Sequence, residues 1–409
     1  MKYLRVLVLT VIIGAMSLAA SAQDWQSLTP NNSLDGWSIL SGEWRVTEDG
    51  VIVGKAPRDG SAWLLYEKTM FSDFEIALEF KTPVPTNGGV QVRSHWLPRM
   101  PLKDGETVAD APKQMHGYQV NVETRKRLGT GIIMEENGRG YLAEPAADAA
   151  KTLKQRDWNA MRISVRGNVI EVYLHDVLAC RVEDEAFIKG FVALQLNPYQ
   201  SQEEFNEIEY RNVRVKDYGR EGNWRALFDG TTLNGWKKWG EEDWSVEDGV
   251  IWGRSGPKKS EGYLATDETF KDFRVRGGFN VTGDGNYGLF YHSTITLRDD
   301  GYPVIAGLQG EVEPGFPGST GWVYESYQRG WLVKPDPAVM QAVAMRPGAW
   351  NEIEIRTAGN KITTWVNGIR VLDYVDDGQK LFEGSFALQL HTGGADGIGW
   401  KELYVLQAP

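Results

Sequence analysis

The run Gln309-Gly310-Glu311-Val312-Glu313 carries polar side chains at alternate positions, and alternation along a strand puts Gln309, Glu311 and Glu313 on one side. Two carboxylates so close split their proton affinities, so that one can hold a proton near neutrality while the other stays ionised. That arrangement suits glycosidic or proton-abstraction chemistry, and it also occurs on a plain solvated strand face. Histidine is scarce, five in the chain, yet His292 ends Gly288-Leu289-Phe290-Tyr291 and His391 ends Ala387-Leu388-Gln389-Leu390. Each can serve as a general base or a metal ligand, or be a histidine hydrogen-bonded in a loop.

Other chemistries lack their signatures. There is no His-Glu-x-x-His, no Gly-rich phosphate loop and no Gly-x-Ser-x-Gly elbow. Cys180 is the only cysteine, which excludes an intramolecular disulfide and a thiolate metal cluster. Its apolar context, Val177-Leu178-Ala179-Cys180, reads as a buried inert thiol. No motif calls for a cofactor, but a divalent metal such as calcium stays open, with Asp299-Asp300-Gly301 as a loop able to supply oxygens. The net charge is -11 and no long Lys/Arg run appears, so nucleic acid is excluded as a partner.

The elements that position these residues come twice. Leu34-Asp35-Gly36-Trp37 returns as Leu233-Asn234-Gly235-Trp236, and Glu48-Asp49-Gly50-Val51-Ile52 as Glu247-Asp248-Gly249-Val250-Ile251. Asn87-Gly88-Gly89 returns as Asn286-Tyr287-Gly288, Gly117-Tyr118-Gln119 as Gly307-Leu308-Gln309, and Ala193-Leu194-Gln195-Leu196-Asn197 as Ala387-Leu388-Gln389-Leu390-His391. The unchanged order marks a tandem duplication, with copies over 24–218 and 223–409. The joint, Gly219-Arg220-Glu221-Gly222, is short, so the copies should pack together and leave a cleft that could take a ligand.

Within each copy the pattern alternates, as in Phe74-Glu75-Ile76-Ala77-Leu78-Glu79-Phe80 and Ile353-Glu354-Ile355. Turns at Gly167-Asn168, Gly359-Asn360 and Asn367-Gly368 separate such runs, which predicts antiparallel sheet. The expected fold is all-β: two tandem jelly-roll β-sandwiches, each with one concave sheet. Of the 16 Trp, the repeated pairs Trp37/Trp236, Trp44/Trp244 and Trp158/Trp350 are expected in the cores. Trp96, Trp239, Trp252, Trp322 and Trp331 are the candidates for stacking on sugar rings.

At the amino end, Lys2 and Arg5 precede the apolar stretch Val6 to Ala20, and Ala20-Ser21-Ala22 supplies a small-residue cleavage pattern. Residues 1–22 read as a signal peptide, too short in its apolar run for a membrane anchor. The expected location is periplasmic or extracellular, with no membrane insertion after cleavage. Losing Lys2 and Arg5 takes the charge from -11 to -13.

Leu227-Phe228-Asp229-Gly230-Thr231-Thr232-Leu233-Asn234-Gly235-Trp236, the later Ala349-Trp350-Asn351, Trp365-Val366-Asn367-Gly368 and Leu388-Gln389-Leu390-His391 resemble the 3-keto-disaccharide hydrolase domain. Copy one matches through Gly117-Tyr118-Gln119, Asp157-Trp158-Asn159 and Tyr210-Arg211-Asn212-Val213-Arg214-Val215. The resemblance implies a concanavalin-like sandwich that acts on a carbohydrate, cleaving glycosides oxidised at carbon 3. It implies His391 or Glu313 as base, Glu311 or His292 as acid, and Gln309 with Arg329 as orienting groups. Trp322 and Trp331 are candidate sugar contacts, with Gln119, Glu123, Arg93 and His95 at the matching places of copy one. Arg93 stands where copy two has His292, and Asn197 where it has His391, so neither copy is a full match; the extra histidine and acid favour the second. A non-catalytic lectin and an ordinary glycosidase with paired carboxylates are the alternatives.

Overall fold

The computed structural model describes residues 24–83, 85–99, 101–124, 129–198, 207–283, 285–313, 319–334, 343, 348–393 and 397–407. The expected signal peptide at 1–22 lies outside the described residues. Each copy is a sandwich of one eight-stranded and one seven-stranded sheet, antiparallel throughout. Pro30–Asn32 and Ala147–Ala150 are single helical turns, and among the described residues no helix is long and apolar enough to cross a membrane.

Alternation builds the sandwiches. In Asp73–Lys81 the side chains of Phe74, Ile76, Leu78 and Phe80 are buried, while Glu75, Glu79 and Lys81 face outward. The counterpart Phe273–Val281 buries Phe273, Val275, Phe279 and Val281 in the second core. Each such aliphatic or aromatic side chain contributes about 1.5–3 kcal/mol when fully buried, so the fold needs no cross-link. Cys180 is buried, donating to the Glu144 carbonyl at 3.5 Å, and burial raises its thiol pKa, which makes it a poor nucleophile. The turns fall where expected. Asn367 and Gly368 both take positive φ, 52° and 85°, between Lys361–Val366 and Ile369–Val375, the backbone a tight two-residue hairpin demands.

Trp37, Trp44, Trp236 and Trp244 are core residues as expected. Trp158 and Trp350 are not. They lie on the outer surface under cations, with Arg211 4.1 Å from the Trp158 ring centre and Lys401 4.1 Å from that of Trp350. There an indole face attracts charge instead of filling the gap between sheets.

The copies meet through the segment before Gly190. Ile188 N–H donates to the Gly368 carbonyl at 2.8 Å, Arg370 N–H to the Ala186 carbonyl at 2.8 Å, and Phe187 forms a β-bridge with Ile369. The first copy thereby covers an edge strand of the second, an edge that would otherwise offer free backbone groups to other chains. Around this seam Trp365 Nε1 donates to the Glu185 carbonyl at 2.7 Å, and Glu354, with its side chain 1% exposed, holds both Arg220 and Arg274. The joint is thus built of backbone and charged contacts around an apolar centre, where Phe187 is buried in one cluster with Val366 and Ile369.

Candidate functional site

The chemistry-bearing residues gather on the solvent side of the second copy's seven-stranded sheet. In Pro303–Val312, Leu308 and Val312 enter the core, and Gln309 and Glu311 point the other way. In the neighbouring Gly384–Leu390, Phe386, Leu388 and Leu390 are core, leaving Gln389, then His391, on the same side as Glu311. Between these strands runs Tyr287–Leu297, whose Gly288 pairs with Glu311 on one side and Gln389 on the other. A Cβ at Gly288 would stand 2.3 Å from Gln309 Nε2, so glycine is needed for Gln309 to lie across the floor. The result is a recess of about 440 Å³.

Every residue of its lining belongs to the second copy. The sequence-based expectation of a ligand cleft between the copies is therefore corrected: this recess is carried by one sheet, and the seam described above holds packed apolar side chains, ion pairs and backbone bonds.

Glu311 is the electrostatic centre. It is buried, and burial pushes its carboxyl up to about 8; the neighbouring Glu313 adds to the rise, while the Asn286 amide, donating to Oε1, opposes it. The carboxyl therefore carries its proton at neutral pH. His391 sits at the exposed rim, its N–H donating to the Asn286 carbonyl at 3.2 Å and its Nδ1 3.1 Å from the Thr392 carbonyl. Across the floor Gln309 Nε2 donates to Gln389 Oε1 at 2.8 Å, and Gln389 Nε2 to Glu261 Oε1 at 3.0 Å. Tyr324, Tyr327 and Trp331 supply aromatic walls, Trp331 standing edge-on to Tyr324 with ring centres 5.0 Å apart. Aromatic faces beside directed polar groups suit a sugar ring, with its apolar C–H faces and polar rim.

Other expected site residues lie elsewhere. Glu313 is one residue beyond the strand, outside the lining, with Ser319 donating its hydroxyl to Oε2. His292 is buried at a bulge with φ 47°, its Nε2 2.6 Å from the Lys271 carbonyl and its Nδ1 3.3 Å from Gln379 Nε2. Burial lowers its pKa, and its ring stands edge-on to Phe273, so it is a packed structural histidine rather than the acid. Arg329 is committed to Glu325 and to Asp376, at 2.6 and 2.7 Å from the two Asp376 oxygens, and orients nothing in the recess. Trp322 is buried behind Trp331, ring centres 5.3 Å apart, so only Trp331 can meet a ligand. Of the other stacking candidates, Trp239 lines a separate cavity of about 230 Å³, Trp96 packs on Trp63, and Trp252 lies under Arg254.

In copy one, Gly89 pairs with Asn121 as Gly288 pairs with Glu311, and Asn197 N–H donates to the Asn87 carbonyl as His391 does to Asn286. Glu311 and His391 are thus replaced by amides, Asn121 and Asn197, in the first copy. There the polar groups bond one another: Gln91 to Gln119 at 2.6 Å, Gln119 to Asn121 at 2.6 Å, and Asn87 to Glu123 at 2.7 Å. Arg93 is buried on Asp73 and three carbonyls, and His95, lowered to about 4 by burial, bonds the Lys189 carbonyl at 2.8 Å. Neither is placed to meet a ligand.

Asp300 Oδ1 accepts the Tyr302 N–H at 3.0 Å, closing its own turn. Among the described residues no group of three or more His, Cys, Asp or Glu is arranged to hold a metal ion.

The chain belongs to the 3-keto-alpha-glucoside-1,2-lyase-like domain family, which matches residues 24–216 and again residues 223–406. A 3-keto-disaccharide hydrolase of Bacteroides thetaiotaomicron is 29% identical over 167 residues, covering 36% of this chain and 57% of that protein. The chain thus spans a little over half the length of that relative. Among solved structures, a Bacillus subtilis protein with a galectin-like fold is similar at 15% identity and TM-score 0.34, over 43% of this chain and 90% of that one. A carbohydrate-binding module of Bacillus subtilis is similar at 13% identity and TM-score 0.28, over 45% of this chain and 100% of that one.

Sequence reasoning did not single out Asn286, Glu261, Tyr324, Ser326, Tyr327 or Gln389 as site residues. Asn286 could have been found, since it opens the repeated Asn-x-Gly next to Gly288. Glu261 and the Ser326 and Tyr324 pair have no local signal, because their strands join the site only through sheet pairing.

Proposed function

We propose that the second copy cleaves glycosides already oxidised to a ketone at carbon 3, by elimination and then hydration. The observation that carries this reading is a single recess holding a carboxyl protonated up to about pH 8 and an exposed imidazole. Imidazole is the usual side chain for taking a proton near neutrality. The ketone acidifies the hydrogen on carbon 2. His391 removes that proton, and the electron pair moves onto the carbon 3 oxygen as an enolate. The enolate then collapses: the ketone re-forms, a double bond forms between carbons 1 and 2, and the bond from carbon 1 to the glycosidic oxygen breaks. Glu311 gives its proton to the departing oxygen. Water adds across the double bond, hydroxyl to carbon 1 and proton to carbon 2, for a net hydrolysis.

The first copy, with Asn121 and Asn197 at the corresponding places, has no pair that can exchange protons, and we read it as a non-catalytic support. The basic, apolar and small-residue order of residues 1–22 supports export of the protein, with a periplasmic or extracellular carbohydrate as substrate. The test is turnover of a 3-keto-glucoside by the parent protein, E311Q and H391A, with sugar affinity measured in parallel. Lost turnover with retained affinity in both variants supports the assignment. A parent protein that binds the sugar and never cleaves it overturns the reading in favour of a lectin.

A further inference from the structure

The hydrogen bonds across the recess floor have a direction, and Glu261 sets it. A carboxylate only accepts, so the Gln389 amide facing Glu261 Oε1 at 3.0 Å must present its Nε2. Gln389 Oε1 therefore points the other way and accepts from Gln309 Nε2 at 2.8 Å. Gln309 Nε2 spends its second hydrogen on the Tyr287 carbonyl at 3.3 Å. That leaves Gln309 Oε1, in a recess-lining side chain, accepting from no described residue. Glu261 is itself buried and pinned on its other oxygen by the Tyr302 hydroxyl at 3.1 Å.

The first copy shows the same strands without this bias. Ser61 stands where copy two has Glu261, two residues before the partner of the shared glutamine, and its hydroxyl donates to Asn197. Gln119 there both accepts, from Gln91, and donates, to Asn121, so both ends of its amide are used internally.

We infer that Glu261 is a positioning residue: by fixing the polarity of the Gln389–Gln309 amides it leaves Gln309 Oε1 as a lone acceptor that selects a sugar presenting a hydroxyl donor there. The inference rests on the second-copy recess being the sugar site, and it makes that site a reader of one ring hydroxyl. A site built to hydrogen-bond a hydroxyl discriminates strongly against the analogue lacking it.

The test uses the full-length protein with E261Q and the double swap E261Q/Q389E. In E261Q the amide introduced at position 261 can donate or accept, so it no longer dictates the direction of its neighbours. In the double swap, the amide at position 261 donates to the carboxylate at position 389, which still accepts from Gln309, restoring the original order. Binding of 3-keto-glucose and of its 2-, 4- and 6-deoxy forms is read by fluorescence quenching and calorimetry. The parent should lose about tenfold affinity for one deoxy form. E261Q should bind 3-keto-glucose about tenfold more weakly and lose that preference, with kcat at saturation changed less than about threefold. The double swap should regain both affinity and preference. An E261Q protein that keeps the parental preference, a double swap no better than the single variant, or a parent indifferent to all three deoxy forms overturns the inference. If E261Q does not fold, parent against double swap decides: the same deoxy preference supports the relay, and its loss refutes it. Because binding needs no turnover, a parent that shows the preference but cleaves nothing would sink the cleavage reading and leave the relay standing.

Discussion

The Asn286 side-chain amide donates to Glu311 Oε1 at the floor of the second copy's recess, partly offsetting the burial that keeps this carboxyl protonated. An amide donor favours the ionised form, so its removal should drive the carboxyl still higher. If Glu311 is the acid, kcat should fall as pH rises through about 8, and N286A should move that falling limb to higher pH. A pH–rate profile of the two proteins checks this; an unmoved limb would assign it to another group.

The same group ties stability to pH. Its folded value of about 8 lies above the ordinary 4.5, so its contribution is complete below about 4.5 and is lost as pH rises through about 8. E311Q, which cannot ionise, should therefore gain melting temperature relative to the parent between about pH 5 and 8.5. Melting curves across that window measure the difference, and parallel curves would contradict a raised Glu311.

Gly288 is the second sensitive point. Alanine there would place its Cβ 2.3 Å from Gln309 Nε2, displacing the amide from Tyr287 and Gln389. Loss of a hydrogen bond of this kind is worth about 1 kcal/mol, or several-fold in affinity. G288A should raise KM several-fold to tenfold with the fold intact, which steady-state kinetics and circular dichroism together would show.

Arg329 should act on stability alone. Its guanidinium neutralises Asp376, whose side chain is fully buried, and reaches Glu325. Removing it strands a buried carboxylate, which costs about 3–5 kcal/mol when the pair is fully enclosed and less here, where Arg329 is one-third exposed. R329A should melt lower while keeping kcat/KM per folded molecule.

Much of this was legible because strand alternation is local. Gln309 and Glu311, or Gln389 and His391, share a face by position alone, so two strands of the site could be read before the sheet was known. Glu261 and Tyr324 could not, since which strands lie side by side is settled by pairing across long sequence separations. His292 and Arg93 misled for another reason. Both sit at a bulge with φ 47°, where the ladder slips, and both are enclosed and bonded to backbone carbonyls instead of facing the recess. A period-two pattern carries no sign of a bulge. Trp158 and Trp350 show that a repeated aromatic marks a shared role without saying whether the role is core or surface.

The first copy offers an internal control. Asn197→Ala removes contacts with Ser61, Gln195 and Asn87, none of them in the recess. Turnover should be unchanged, whereas H391A should lose about a hundredfold or more in kcat, the usual worth of a positioned base. Equal losses in both variants would mean that the first copy takes part in the chemistry.

The most direct test of elimination is the fate of the hydrogen on carbon 2. Cleavage of a 3-keto-glucoside in D2O should give 3-keto-glucose carrying deuterium at carbon 2, seen by NMR at early turnover, and the unoxidised glucoside should not be cleaved. Product that keeps its original carbon 2 hydrogen, or release of the aglycone from the unoxidised glucoside at a comparable rate, would contradict the assignment of His391 as the base at that carbon.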